Sequence, residues 1–389
     1  MSGAEPNPRI YRGAMATPLT VGVPRERKDG EHRVAITPDG VHELTVHGVP
    51  VLVEVGAGAG SSIADADYRS AGAALLTDAA DLWGRADLVL KVKEPQRDEL
   101  TFLRPGLVLF TYLHLAAYPD VAEALLEQKV VGVAYETVQL ESGALPLLAP
   151  MSEVAGRMGP QVGSHFLERE HGGRGVLLGG APGVRPARVV VIGAGNVGWN
   201  AAWIAQGMEA EVLLFDRNLD RLRWVDQIHR GRIMTLASTR LAVDRAVADA
   251  DLVIGAVLVP GGRAPVVVSD GMLRTMRTGS VIVDCAIDQG GSVEGIEETS
   301  HADPVYERHG VLLYAVGNIP GAVPHTSTYA LTNATLPYTV TLATQGVAGA
   351  VREHSELRPG VNTAAGRVTN AAVAAALGRE AASLADALS

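Results

Sequence analysis

From Thr20 onward the chain alternates short apolar runs with stretches whose apolar residues recur at helical spacing. The runs at 21–23, 51–55, 88–92, 107–113 and 130–134 read as strands, and the pieces at 39–47, 65–72, 79–83 and 119–128 as the helices between them. A second set of runs at 189–192, 212–215, 252–259, 281–283 and 311–316 repeats the rhythm. Alternation of this kind predicts an α/β fold with doubly wound, mostly parallel sheets. Residues 152–169 read as one long helix, with Gly159 and Pro160 placed to bend it, and form the bridge between two domains. The stretch 328–350 keeps helical spacing and adds no strand, so the chain is expected to return to its first domain and make that domain discontinuous. The alanine-rich tail, 364–388, predicts one or two surface helices. This divides the chain into a loose leader over 1–18, a substrate domain of 19–148 with 325–389, and a cofactor domain of 149–324. There is no internal repeat and no low-complexity block.

The most informative stretch is 188–216. Its apolar run enters Gly193-x-Gly195-x-x-Gly198, helix-compatible residues follow to Gly207, and a second apolar run ends on Asp216. Such a layout is expected of a Rossmann-type dinucleotide site. The first glycine permits a tight turn, the second lets backbone approach a pyrophosphate, and the third lets helix pack on strand. The helix N-terminus offers N–H groups and a positive dipole end to phosphates. A lone GxGxxG motif is weak evidence in a chain with 44 glycines, but here a strand, a helix and an acid stand at the expected distances. Asp216 is placed to accept hydrogen bonds from a ribose diol and to repel a 2′-phosphate, which favours NAD over NADP; Arg217 beside it softens that preference. Residues 189–208 carry no charge, yet four glycines, Asn196, Asn200 and Gln206 argue against a membrane-spanning helix.

Composition narrows the classes. A chain of 389 residues has room for about two domains, and 47% hydrophobic with 20% charged residues fits a globular protein. A net charge of −10 disfavours nucleic acid or anionic membrane as the main partner. The single cysteine, Cys285, excludes an internal disulfide framework and suits a reducing, cytoplasmic setting. No Cys/His cluster shows metal-ligand spacing, so no metal is expected. The start lacks an apolar signal region, and Met15 stands close to a more usual start.

In open α/β sheets, ligands gather outside the carboxyl ends of strands. Here Lys93 follows the 88–92 run, His114 follows 107–113, Asp288 lies beyond 281–283, and Arg33 follows the first strand and its polar loop. Each has an ordinary structural explanation. Lys93 can be solvated, His114 a satisfied core histidine, Asp288 a cap or a shaper of the Gln289-Gly290-Gly291 turn, and Arg33 half of a surface ion pair with Glu31. Their shared position, facing an expected interdomain cleft, raises them together. As a set they suit amino-acid oxidation. A cation pair can clamp a carboxylate, a histidine can move a proton near neutrality, and a carboxylate can activate the water that attacks an imine.

Between about Val21 and Gly346 the sequence resembles the alanine dehydrogenase/NAD-transhydrogenase family. The resemblance is carried by GVPRERKDGEHRVAITP, LKVKEP, FTYLHLA, AYETVQ, LPLLAPMSEVAGR, GGRGVLLGGAPGV, VIGAGNVG, ADLVIGAVLVPG, VDCAIDQGG and VPHTSTYALTNATLPY. It implies reversible, NAD-dependent oxidative deamination of L-alanine to pyruvate and ammonia, with Arg33 and Lys93 holding the substrate carboxylate and carbonyl. It further implies that His114 is the acid/base and that Asp288 sits beside nicotinamide and substrate. Ser152 and Asp216 then bind the cofactor, Asn318 lies near the nicotinamide, and Arg221 and Ser238 face the adenosine half. A homo-hexamer is implied as well. Two features depart from the family pattern. A loop that often reads ANMPA is GNIPG here, with Gly317 and Gly321, and Arg221 stands where lysine is frequent. Two other readings remain open from the sequence: a nucleotide-binding subunit of a proton-translocating transhydrogenase, which needs a membrane component, and an NAD-binding scaffold without turnover.

Overall fold

A computed structural model of the chain describes residues 18–257 and 263–388. The leader up to residue 17, with Met15, and the end of the 252–259 run lie outside the described residues. The chain forms two compact units, one containing the residues up to Met151 and those from Val323 onward, the other Ser152–Ala322.

The first unit opens with β1 (Val21–Val23), α1 (Pro38–Val46), β2 (Val51–Glu54), α2 (Asp65–Ser70), β3 (Ala74–Leu76), α3 (Ala79–Arg85) and β4 (Leu88–Leu90). It continues through β5 (Val108–Thr111), α4 (Pro119–Glu127) and β6 (Val131–Ala134). Then α5 (Ala149–Phe166) carries the chain into the second unit, keeping Pro160 inside one continuous helix. That unit contains β7 (Arg188–Ile192), α6 (Asn196–Gly207), β8 (Glu211–Asp216), α7 (Leu219–His229), β9 (Met234–Ala237), α8 (Arg240–Ala248) and β10 (Leu252–Gly255). It is completed by α9 (Asp270–Leu273), β11 (Val281–Asp284), β12 (Val305–Arg308) and β13 (Val311–Tyr314). The first unit resumes with α10 (Pro324–Glu353), β14 (Val361–Ala364), β15 (Arg367–Val368), α11 (Ala371–Ala376) and α12 (Leu384–Ala387).

The first sheet has the order β15-β14-β6-β5-β4-β1-β2-β3, parallel from β6 to β3, with β14 and β15 antiparallel at one edge. The second runs β12-β13-β11-β10-β7-β8-β9, parallel except for β12. Each parallel core therefore reverses its winding beside its first strand, between β1 and β4 and between β7 and β10. That is the switch point where such sheets leave a crevice at their carboxyl ends. The central strands β1, β4, β5, β6, β10 and β11 are buried at every position, so they read as continuous rather than alternating apolar runs. The predicted α/β class, the mostly parallel sheets and the discontinuous first domain are all present.

Two features correct the reading of the pattern. The edge strands β9 and β12 carry polar residues because much of their surface is not covered, and the short β3, Ala-Leu-Leu, lies outside the predicted runs although it is apolar. The tail is not helical throughout, since its first residues complete β14 and form β15. β14 is buried although it reads Val-Asn-Thr-Ala, because its polar side chains are engaged. Asn362 donates to the Thr137 hydroxyl at 2.7 Å, and Thr363 Oγ1 accepts from Gly132 N–H at 3.0 Å and donates to the Val130 carbonyl at 3.1 Å.

These bonds make a testable case. Thr363→Val keeps the shape but removes both partners, and should cost about 1–3 kcal/mol through the abandoned buried groups. The check is the urea midpoint of the variant against wild type.

Candidate active site

In the first unit Arg33, Lys93 and His114 all lie just beyond the carboxyl ends of β1, β4 and β5. Arg33 is buried, 2% exposed, and its guanidinium grips Glu31 through both oxygens, Nε to Oε1 at 2.7 Å and Nη2 to Oε2 at 2.5 Å. The Arg33 N–H donates to the same carboxylate at 3.0 Å, and Nη1 lies 3.0 Å from the Met151 sulfur. The expected ion pair with Glu31 is therefore real but buried, not on the surface. Burial alone would raise the Glu31 carboxyl, yet Arg33 and then Lys93 hold it down at about 2. Arg33 is in turn raised, because Glu31 outweighs the effect of its burial. Such a pair is a fixed device, because removing one partner leaves the other charge uncompensated at a cost of about 3–5 kcal/mol.

The chain around Lys93 is held by charges beneath it. Glu26 accepts from Val92 N–H at 2.6 Å and Lys93 N–H at 3.3 Å, and its carboxylate meets the fully buried Lys91 ammonium at 3.1 Å. Lys91 also reaches Glu99 at 3.0 Å. Of the two lysines in the KVKEP stretch, then, Lys91 is structural, whereas Lys93 is partly exposed.

His114 is not a core histidine. Its side chain is 37% exposed, its ring stacks 5.7 Å from that of Tyr112, and its backbone has φ +47°. Left-handed backbone is uncommon outside glycine and clusters where surrounding contacts impose it. Glu136 imposes it here by accepting the N–H groups of His114 at 2.6 Å and Leu113 at 3.2 Å. Glu94 faces the ring, with Oε2 3.7 Å from Nδ1, while its other oxygen takes the Lys28 ammonium at 2.6 Å. Burial pushes the Glu94 carboxyl up, but His114 and Lys28 bring it down to about 2.

In the second unit the glycine turn behaves as its chemistry requires. Gly193 has φ +109°, and a Cβ there would overlap the Ala256 carbonyl. A Cβ on Gly198 would overlap the Gly193 carbonyl oxygen, so that glycine lets α6 sit on its strand. A Cβ on Gly195 would meet only Arg221 Nη1, at 3.8 Å. Gly195 is the N-cap of α6 and no side chain caps that end, which leaves the first turn fit to receive a phosphate on its N–H groups. Asp216 ends β8 and accepts from Ala194 N–H at 2.6 Å and Asn218 N–H at 2.7 Å, with Arg221 Nη1 3.9 Å away. Ser238 N–H donates to the Asp216 carbonyl at 2.9 Å. Gly195, Asp216, Arg221 and Ser238 therefore share one neighbourhood, and these residues fit an adenine dinucleotide. Ser152 lies on α5 one turn before Gly156, on the same helix face. A Cβ on Gly156 would overlap the Val197 carbonyl in the first turn of α6, so α5 approaches the glycine turn closely.

Asp288 lies beyond β11 in a one-turn 3₁₀ helix, Ile287–Gln289. That loop is pinned by buried Asp284, whose carboxylate accepts from Ala286 N–H at 2.9 Å, Ser292 N–H at 2.6 Å, Ser292 Oγ at 3.0 Å and Val293 N–H at 3.2 Å. Asp288 is exposed, and its Oδ1 accepts from Asn318 N–H at 3.3 Å. Asn318 follows β13 with φ +60°. Cys285 is half-buried, and desolvation raises its thiol far above the range of a reactive thiolate.

Comparison with known proteins then decides the family. The alanine dehydrogenase/PNT N-terminal domain model matches residues 22–155 and the C-terminal domain model residues 159–371. The chain belongs to the alanine dehydrogenase/PNT family. It is 53% identical over 363 residues to alanine dehydrogenase of Bacillus subtilis, covering 93% of this chain and 96% of that one. It is 52% identical over 359 residues to alanine dehydrogenase of Methanococcus maripaludis, covering 92% and 96%. A solved L-alanine dehydrogenase superposes with TM-score 0.90 at 48% identity, covering 92% of this chain and 99% of that one. A transhydrogenase from Sinorhizobium meliloti gives TM-score 0.77 at 26% identity, covering 90% and 99%.

The two glycines of the GNIPG loop bear on Asn318 and Asp288. A Cβ on Gly317 would overlap Glu298 Oε1 and come within 3.2 Å of Asp288 Oδ1; on Gly321 it would lie 2.7 Å from the Asn318 amide nitrogen. The residues that sequence reasoning missed are the acids Glu26, Glu94 and Glu136. Glu94 sits next to Lys93 in the KVKEP stretch, which was the one local signal for any of them.

Two outcomes can be checked. Gly198→Ala should lower stability by about 3 kcal/mol through overpacking against backbone, whereas Gly195→Ala should leave the Tm unchanged and weaken NADH binding measured by fluorescence titration. Glu94 is held below its ordinary 4.5, so the unfolded state takes up protons first. Its contribution is complete above pH 4.5 and fades as pH falls toward 2. The stability gap between wild type and Glu94→Gln should therefore shrink between about pH 5 and pH 3 in urea titrations.

Proposed function

We propose that this chain is an NAD-dependent alanine dehydrogenase that interconverts L-alanine with pyruvate and ammonia. The observation that carries the reading is the conjunction of about 50% identity to alanine dehydrogenases with Arg33, Lys93, His114 and Asp288, all at strand carboxyl ends. Arg33, locked to Glu31, supplies a fixed positive centre for the substrate carboxylate. Lys93, on a backbone anchored by Glu26, serves the same carboxylate and the carbonyl oxygen of pyruvate. Bound NAD supplies the hydride acceptor for the substrate Cα.

Oxidation at Cα leaves an imine of pyruvate, to which water must add before ammonia can leave. His114 carries the protons of these steps, its ring steadied by Tyr112 and Glu94. Its partial exposure gives it a route for proton exchange with solvent. Asp288, on a loop braced by Asp284, orients the water. Asp216 at the adenosine end favours NAD, since its carboxylate accepts from a ribose diol and repels a 2′-phosphate; Arg221 and Ser238 line the same region. On this reading the partners are small molecules, and no helix among the described residues is long and apolar enough to cross a membrane.

The test is NADH oxidation by purified protein with pyruvate, with and without ammonium, and again with NADPH. Rapid oxidation that needs both co-substrates and favours NADH is the expected result; NADH binding without turnover would sink the reading. His114→Ala should lower kcat by about 10²-fold or more while NADH binding persists, the scale of losing a positioned acid/base. Unchanged turnover would remove histidine from the mechanism.

A further inference from the structure

We propose that His165, Glu168 and His171 form a surface site for a borderline divalent transition-metal ion, with zinc as the simplest occupant. His165 is in the last turn of α5, and Glu168 directly precedes a one-turn 3₁₀ helix, Arg169–His171, that carries His171. One ligand atom from each of the three residues lies within 4.8 Å of the others. His165 Nδ1 is 4.0 Å from Glu168 Oε1, His171 Nε2 is 3.6 Å from Glu168 Oε2, and the two ring centroids are 3.8 Å apart. Tetrahedral coordination at metal–ligand distances of about 2.0–2.1 Å sets neighbouring ligand atoms about 3.3 Å apart. Small rotations of exposed side chains close the difference.

The donor set selects the ion. Two imidazoles and one carboxylate suit zinc, nickel, cobalt or copper; magnesium and calcium prefer oxygen cages. Three protein ligands leave one position for water. The backbone beneath is already shaped. Gly172 closes the turn at φ +89°, Gly173 N–H donates to the Glu168 carbonyl at 3.0 Å, and Gly175 N–H donates to the carbonyl of fully buried Leu167 at 2.8 Å. Only side chains need to order on binding. The ligands straddle a helix end and include a glutamate, so the set shows no Cys/His spacing in the sequence. None of the three residues belongs to the proposed reaction machinery, so the ion would tie the end of α5 to the turn that follows it.

The test uses untagged full-length protein titrated with zinc chloride calorimetrically, and with cobalt(II) followed by visible absorption. One equivalent per chain with a zinc-dependent rise in Tm is expected, together with a cobalt spectrum of tetrahedral type. His171→Ala and His165→Ala should each weaken binding by more than about tenfold while keeping the metal-free Tm and turnover; having both variants covers the failure of either to fold. Binding of unchanged affinity and stoichiometry in the variants, or no binding at millimolar zinc, would overturn the proposal.

Discussion

A parallel sheet covered on both faces leaves only its strand ends for polar chemistry. Every residue of β1, β4, β5, β6, β10 and β11 is buried. A charged group within one of those strands would need a partner there or would stay neutral. The winding reversal beside β1 and beside β7 then decides which ends are left uncovered by crossing helices. Arg33, Lys93, His114, the glycine turn, Asp216, Asp288 and Asn318 all obey this one constraint, although they come from distant parts of the chain.

What distinguishes the first unit is how much charge it buries next to those ends. Arg33 with Glu31, Lys91 with Glu26 and Glu99, and Lys28 with Glu94 are joined groups, several of them almost without solvent. Pairs of this kind contribute little net stability, because desolvation offsets their attraction. Their effect is geometric. Each carboxylate satisfies several donors at once, so the loops after β1, β4 and β5 have few alternative arrangements.

The legibility of this molecule in its sequence follows from how local each requirement is. The turn from Gly193 to Gly198 could be read because each glycine answers a need within five residues, one for positive φ and one for contact with the strand just left. The central strands could be read because complete burial writes an unbroken apolar run. β9 and β12 could not, since uncovered edge strands tolerate polar residues, and β14 could not, since Asn362 and Thr363 each bond to a group more than two hundred residues away. The supporting acids were hidden for the same reason. Lys28 and Glu94 are 66 positions apart, and His114 and Glu136 are 22 apart. The family resemblance supplied roles for Arg33, Lys93 and His114 but was silent about the carboxylates that hold them.

The split of the first unit sets an order of events during synthesis. Its sheet lacks β14 until the ribosome has passed Ala364, and the helix α10, which packs Leu331, Leu342 and Val347 into that unit, emerges only after the whole of Ser152–Ala322. The second unit is contiguous and can complete itself as soon as its last strand leaves the exit tunnel. Domains fold as units, and an unpaired strand edge is an aggregation hazard while it waits. The nascent chain therefore carries β6 with an open edge while more than half of its length is translated, and it is open to edge-to-edge association throughout that interval.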